Sequence, residues 1–407
     1  MQKPVALRRR LGLTLLVLYG VGVTVGAGIY VLIGAAARES GMNAPIAFLV
    51  SAFVMSFTAA SFAELSARFP VSAGEAAYVQ AGFGSDILSL VTGALVVGAG
   101  IVSSAAITVG SVGYISEFTS LSPVLLKTAV VLAVCAVACW GILESVVLAA
   151  VFTVIEVGGL VVIVIAGLAA DPGMILRISE VLPSVGDMPA LVGIGSAALI
   201  AFFAFIGFED MVNVAEETVD PVRNMPRAIA LTLFITTLVY FCVVYVAVMT
   251  VSPAELGVSE APLAVVAARV GSISPVVITG IAIMATLNTI IIQIIMASRV
   301  IYGVADRGQL PGFLARINPL TRTPVIATIL VSVIVLVLAL GFNVERLAAT
   351  TSQIALTVFT IVNLSLIRLK MRENAPFVPL NLPMWVPVSG VICCLGLLAV
   401  DIAQVWV

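Results

Sequence analysis

Gly20-Val21-Gly22-Val23-Thr24-Val25-Gly26-Ala27-Gly28-Ile29 places four glycines within nine residues, in the middle of an apolar run over residues 11–37. A run of that length crosses a bilayer as a helix, since about 20 apolar residues span the hydrocarbon. Each glycine costs a helix interior about 1 kcal/mol relative to alanine, so the cluster marks where this helix opens. Membrane helices also use glycine for close packing. Alternating glycines do not keep to one helical face, as packing glycines should, which favours the opened helix.

The rest of the chain is equally suited to lipid. Of 407 residues, 61% are hydrophobic and 10% charged, where a soluble domain carries about 25% charged residues; mean hydropathy is +1.23. Apolar runs predict about eleven spans, at 11–37, 44–67, 87–115, 124–141, 146–170, 190–214, 228–251, 273–305, 325–341, 347–369 and 385–407. All are expected to be helices, because an open sheet edge cannot be satisfied in lipid. A net charge of −2 with scattered arginines gives no patch for nucleic acid. Lys3 and Arg8 to Arg10 precede the first run as in a signal peptide. That run is too long and lacks a clear cleavage site, so it reads as a retained span. Cys135, Cys139, Cys242, Cys393 and Cys394 lie in apolar runs as packing residues, with neither disulfide nor metal site expected.

Lysines and arginines concentrate in cytoplasmic loops. With the N-terminus inside, fourteen fall on that side: Lys3, Arg8, Arg9, Arg10, Arg68, Arg223, Arg227, Arg299, Arg307, Arg316, Arg322, Arg368, Lys370 and Arg372. Arg38, Lys127, Arg177, Arg269 and Arg346 fall outside and complete the total of 19. An odd span count then puts the C-terminus outside, in a cell (inner) membrane protein. The longest loop without helical character, 171–189, divides two five-span units, residues 1–170 and 190–372, followed by an extra helix in 373–407. An odd unit length turns the second unit upside down, the inverted-repeat plan of many secondary transporters.

The second unit opens with its own candidate break, Phe202-Phe203-Ala204-Phe205-Ile206-Gly207-Phe208-Glu209. An opened helix offers free N–H groups around Gly26 to Ile29, which with the helix dipole favour a carboxylate. It also offers carbonyls around Val21 to Thr24, including Val23, and Phe203 to Ile206, which accept from an ammonium. An α-amino acid carries both groups one carbon apart.

These residues resemble the amino acid–polyamine–organocation superfamily, and most closely bacterial relatives of the cationic amino-acid transporters. The likeness is carried by Gly20-x-Gly22-x-Thr24-x-Gly26-Ala27-Gly28-Ile29-Tyr30-Val31-Leu32-x-Gly34 and by Glu64-Leu65-x-x-Arg68-x-Pro70 with Ala73-Gly74 and Tyr78. Further on it is carried by Phe203 to Glu209 with Glu216-Glu217 and Pro221, and by Ser298-Arg299. The resemblance implies the five-plus-five inverted-repeat fold named after a leucine transporter, with broken helices 1 and 6 and substrate between spans one, three, six, eight and ten. It implies that the amides of Gly26, Ala27, Gly28 and Ile29 hold the carboxylate, while the carbonyls of Phe203, Ala204 and Ile206 hold the amine. An aromatic, Phe203 or Phe205, would close over the substrate. Family members commonly place a lysine in span five, where this chain has Glu156; they usually have at least twelve spans, and a basic residue often stands where Leu143-Glu144-Ser145 precedes span five.

A charge at a span centre costs at least ~2.5 kcal/mol on insertion scales, so Glu156 and Glu209 each need a reason. Either acid loads and unloads a proton; or Glu156 stays ionised and holds a cation such as Na+ with the hydroxyls of Thr286 or Thr289; or each is a structural acid bonded to a neighbouring helix. Glu216, Glu217, Asp220 and Arg223 form a polar exit from span six, with Asp220 and Pro221 placed to cap and start a short helix. Arg299 either snorkels or joins an inward gate.

An enzyme is disfavoured: there is no histidine, no phosphate-binding loop, and Lys3, Lys127 and Lys370 avoid mid-span positions. No cofactor is expected. A channel or facilitator for a small amine would need a pore ring or filter, which the sequence lacks. The expectation is therefore a monomeric, alternating-access amino-acid transporter in lipid, proton-coupled, for a neutral or cationic L-amino acid, with exchange or sodium symport as alternatives. The small, uncharged face of span three around residues 102–108 points to a neutral side chain, whereas Glu209 points to a cationic one.

Overall fold

The computed structural model describes residues 11–26, 28–71, 74–140, 146–184, 186–306, 310–321, 323–372 and 379–405. Among these residues regular structure is helical, apart from one isolated parallel bridge between Leu11 and Thr218. Within each helix the backbone polar groups are satisfied by its own segment, as the hydrocarbon requires. The helices are α1 Leu13–Val25, α2 Gly28–Ser40, α3 Ala44–Arg68, α4 Gly74–Phe83, α5 Asp86–Ser116, α6 Pro123–Trp140, α7 Val146–Ala170 and α8 Met188–Phe205. Then follow α9 Pro221–Thr250, α10 Pro253–Val258, α11 Pro262–Val270, α12 Pro275–Asp306, α13 Val325–Gly341, α14 Val344–Lys370 and α15 Trp385–Val405.

Among the described residues eight segments are long and apolar enough to cross a membrane, one of them running Gly28–Arg68 through α2 and α3; Leu13–Val25, Val325–Gly341 and Trp385–Val400 are shorter apolar helices. Each of the eleven predicted spans coincides with one or two of these. Large apolar side chains such as Phe53, Leu132, Ile165, Phe234 and Val337 point outward, as the lipid-facing surface of a multi-pass helical membrane protein requires. The predicted short helix at Asp220-Pro221 is corrected. Asp220 takes φ 46 and makes no side-chain cap, and Pro221 begins α9, which continues unbroken to Thr250. The 171–189 loop, read as without helical character, is helical in part. It holds a 3-10 helix, Pro172–Val181, pinned by Tyr245 donating to the Met174 carbonyl and Asn43 donating to that of Val181.

Buried side chains form two apolar bodies. One gathers residues of α3, α8, α9 and α14, the other residues of α5, α6, α12 and α13. α2 and α8, each beside a predicted break, contribute to both. Ile29, Tyr30 and Ile33 of α2 face the first body and Val31, Leu32 and Ala35 the second; in α8, Phe202, Ala204 and Phe205 face the first and Phe203 the second. The two interrupted helices therefore lie along the seam between the bodies.

Candidate functional site

Span one is broken. α1 ends at Val25, Gly26 leaves the helical region at φ −5, ψ −118, and α2 restarts at Gly28; Ala27 lies outside the described residues. Span six breaks at the corresponding place. α8 ends at Phe205, Ile206 is extended at φ −66, ψ 132, and Gly207 takes φ 130, open to glycine without steric cost. A 3-10 helix, Phe208–Glu217, then carries the chain on. The breaks touch. A Cβ added to Gly207 would lie 2.7 Å from the Val23 carbonyl oxygen, and one on Gly28 2.6 Å from Ala204 Cα.

The four glycines of the opening stretch meet four different elements. A Cβ on Gly20 would strike Met211 of the 3-10 helix, one on Gly22 would strike Thr153 of α7, one on Gly26 would come within 2.5 Å of the Thr289 hydroxyl on α12, and Gly28 meets α8. Glycine here opens the helix and also admits close neighbours around its circumference, so the packing and opening roles coexist.

The predicted amine acceptors are partly occupied. The Tyr240 hydroxyl of α9 lies 2.8 Å from the Thr24 carbonyl and 2.7 Å from that of Ala204, one from each break. Ile206 N–H donates to the Phe203 carbonyl. Each carbonyl retains a second lone pair, so the geometry narrows the amine site without abolishing it. The buried ring of Phe205 packs between Phe48 and Tyr240 at centroid distances of 6.5 and 5.1 Å, inside the first apolar body. Phe203, in the second body with Ile101 and Ile290, stays on the span-three side.

Glu156 is 1% exposed, and neither carboxyl oxygen has a hydrogen-bond partner. Its backbone carbonyl accepts from Tyr30, whose own carbonyl accepts from Tyr114. The hydroxyls of Thr286 and Thr289 donate to the carbonyls of Ile283 and Ala285 in their own helix, and Thr289 faces Gly26. Glu209 is more conventional, one oxygen accepting from Gly207 N–H at 2.8 Å. Arg299 is exposed, two turns before the end of α12.

A small cavity of about 30 Å³ lies between the span-six break and α4. Ile206, Glu209 and Asp210 line it from the break, Glu75 from α4, and Ser103 and Gln293 from α5 and α12. The sequence reading missed Tyr240, Glu75, Asp210 and Gln293. Asp210 stands beside an acid already singled out, and Gln293 is a lone amide in an apolar span; both are legible signals of a polar-lined interior. Nothing near Tyr240 in the sequence marks it.

At the mouth of spans two and ten, Glu64 is buried against Arg68 and Lys370, each at 2.7 Å, and accepts from Leu382 N–H. This explains the Glu64 and Arg68 positions of the resemblance as a structural cluster.

The profile of the amino acid permease family matches residues 11–405. A transporter of Mycobacterium tuberculosis without assigned substrate is 32% identical over 400 residues, 97% of this chain and 86% of that one. The vacuolar cationic amino acid transporter 4 of Arabidopsis thaliana is 30% identical over 381 residues, 88% of this chain and 63% of that protein. In three dimensions the chain is similar to a mutant manganese transporter of Eremococcus coleocola, with TM-score 0.67 and 14% identity, over 96% of this chain and 86% of that one; at that identity the likeness speaks for the fold. Paired breaks, the five-plus-five arrangement and a match along almost the whole chain agree. This chain belongs to the amino acid permease family and is a membrane transporter of amino acids, not an enzyme.

Proposed function

We propose that the chain imports a neutral or cationic L-amino acid by alternating access, coupled to protons. It works as a monomer in the inner membrane, N-terminus inside and C-terminus outside, with residues 1–170 and 190–372 as inverted units, 171–189 as their hinge and 373–407 as an added helix. The carboxylate is held by N–H groups of Gly26, Ala27, Gly28 and Ile29. The amine is held by carbonyls from Val23 to Thr24 and from Phe203, Ala204 and Ile206, with Phe203 as the aromatic gate and Arg299 at the inner gate.

The observation that carries this reading is the direct contact of two opened helices at Gly28 and Ala204, which puts donor and acceptor ends within reach of one zwitterion. Glu156 supports proton coupling: a buried carboxyl without a hydrogen-bond partner is far cheaper neutral than charged. Sodium symport is the second reading, favoured by the same unpartnered oxygens, which would suit a bare cation. Uptake of labelled amino acids into liposomes, with the pH and sodium gradients removed in turn and repeated with Glu156→Gln, tests it. The expected result is saturable uptake that collapses without the pH gradient and becomes insensitive to it in Glu156→Gln. Uptake that ignores both gradients and needs substrate on the far side makes the protein an exchanger; non-saturable flux without counterflow makes it a channel.

A further inference from the structure

We propose that the cavity between the span-six break and α4 seats the positively charged end of a basic amino acid, its ammonium or guanidinium lying among Glu75, Asp210 and the amide oxygen of Gln293. The inference rests on the transport reading above and names the side chain it selects.

Glu75, Glu209 and Asp210 are 4%, 8% and 8% exposed and share one cavity. Among the described residues none of the three is paired with lysine or arginine; the ion pairs go to Glu39, Glu64, Asp171, Asp220, Glu255 and Glu345. Glu209 already accepts from Gly207 N–H through one oxygen and Glu75 from its own backbone N–H, and each carboxylate keeps further lone pairs for an incoming donor.

Gln293 supplies the independent sign of a ligand. It is 7% exposed, lines the same cavity, and its Oε1 has no hydrogen-bond partner. A buried acceptor left unmade costs about 1–3 kcal/mol, so an occupant that donates to it is favoured. Carboxylates and an amide oxygen offer acceptors, and the complementary group is a multiple donor with positive charge: an ammonium has three N–H donors and a guanidinium five. The acids are not gathered as metal ligands among the described residues, which points to an organic cation. Val96, Met296 and Val358 supply an apolar wall suited to the methylene stem that joins such an end group to the α-carbon.

The test uses the full chain in liposomes and compares arginine with citrulline, and lysine with norleucine, pairs that differ mainly in the charged end. Half-saturation for the basic member is expected to be at least tenfold lower than for its neutral counterpart. In Gln293→Leu and in Asp210→Asn that preference is expected to fall at least fivefold. Thermal stabilisation of the detergent-purified protein by arginine over citrulline gives a readout independent of transport. Equal half-saturation within each pair, or variants that keep the wild-type preference, overturns the subsite while transport of neutral amino acids leaves the broader reading standing. Failure to carry or bind any amino acid of the panel overturns both.

Discussion

Tyr240 holds carbonyls from two interrupted helices through one hydroxyl. Tyr240→Phe keeps the ring against Phe48 and Phe205 and removes only that tie. A net hydrogen bond is worth about 0.5–1.5 kcal/mol, so initial uptake into liposomes is expected to slow roughly threefold to tenfold without loss of folded protein; an unchanged rate would show the tie to be idle. Gly28→Ala is harsher, because the new methyl meets Ala204 backbone at 2.6 Å and backbone cannot swing aside. It is expected to abolish uptake, whereas Gly280→Ala, with open space around it, serves as the neutral control in the same assay. Glu75 lies in α4, outside the spans, and burial, reinforced by the neighbouring Asp210 charge, pushes its carboxyl up to about 7. Facing it are Glu209 and Asp210 from the 3-10 helix and Tyr78 from its own helix; the cavity-lining residues of α5 and α14 are not titratable. The raised value means the neutral form persists until about pH 7, so arginine binding should strengthen from pH 6 to pH 8 as the carboxylate forms. Glu75→Gln should flatten that profile; an identical profile in the variant would remove Glu75 from the account.

At the scale of elements, the cluster of Glu64 on α3, Arg68 on the same helix and Lys370 at the end of α14 fixes how spans two and ten meet. Their side chains are 0%, 6% and 7% exposed. Glu64→Gln removes the buried carboxylate that both cations share, and breaking a buried pair costs about 3–5 kcal/mol; the melting temperature of the purified protein should drop by several degrees. The helices themselves were legible because a lipid-crossing run has one signature, length with apolarity, and residues 44–67 or 228–251 meet it without competition from other structure. What lay hidden was whatever depends on contacts between distant segments. Four glycines announce an opened helix, but no pattern says that they face Met211, Thr153, Thr289 and Ala204. Phe203 and Phe205 looked interchangeable as gates because they are two residues apart in one apolar run, yet the rotation of about 200° between such positions on a helix puts one in each apolar body. Asp220-Pro221 suggested a short helix, and the pattern offered no stop signal strong enough to separate it from span seven; Pro226 within α9 did not supply one.

Taken whole, the molecule is two apolar bodies with the interrupted helices along their seam, and the segment entering α1 is tied to the segment leaving span six. Leu11 N–H donates to the Glu217 carbonyl at 3.0 Å and Val219 N–H donates to the Leu11 carbonyl at 2.9 Å. The segment entering α1 and the segment leaving span six are thereby joined and are expected to move together. In a background cleared of the five native cysteines, oxidising Leu11→Cys with Thr218→Cys to a disulfide should therefore preserve uptake; loss of uptake on oxidation, recovered by reductant, would show that the segments must part. That yoke is made of main-chain groups alone, so the identity of the side chains at either end has no hold on it. Drift in sequence at residues 217 and 219 can be broad, whereas Leu11 is held by its own burial; proline is barred at 11 and at 219, because it lacks the N–H and would unhitch the two segments.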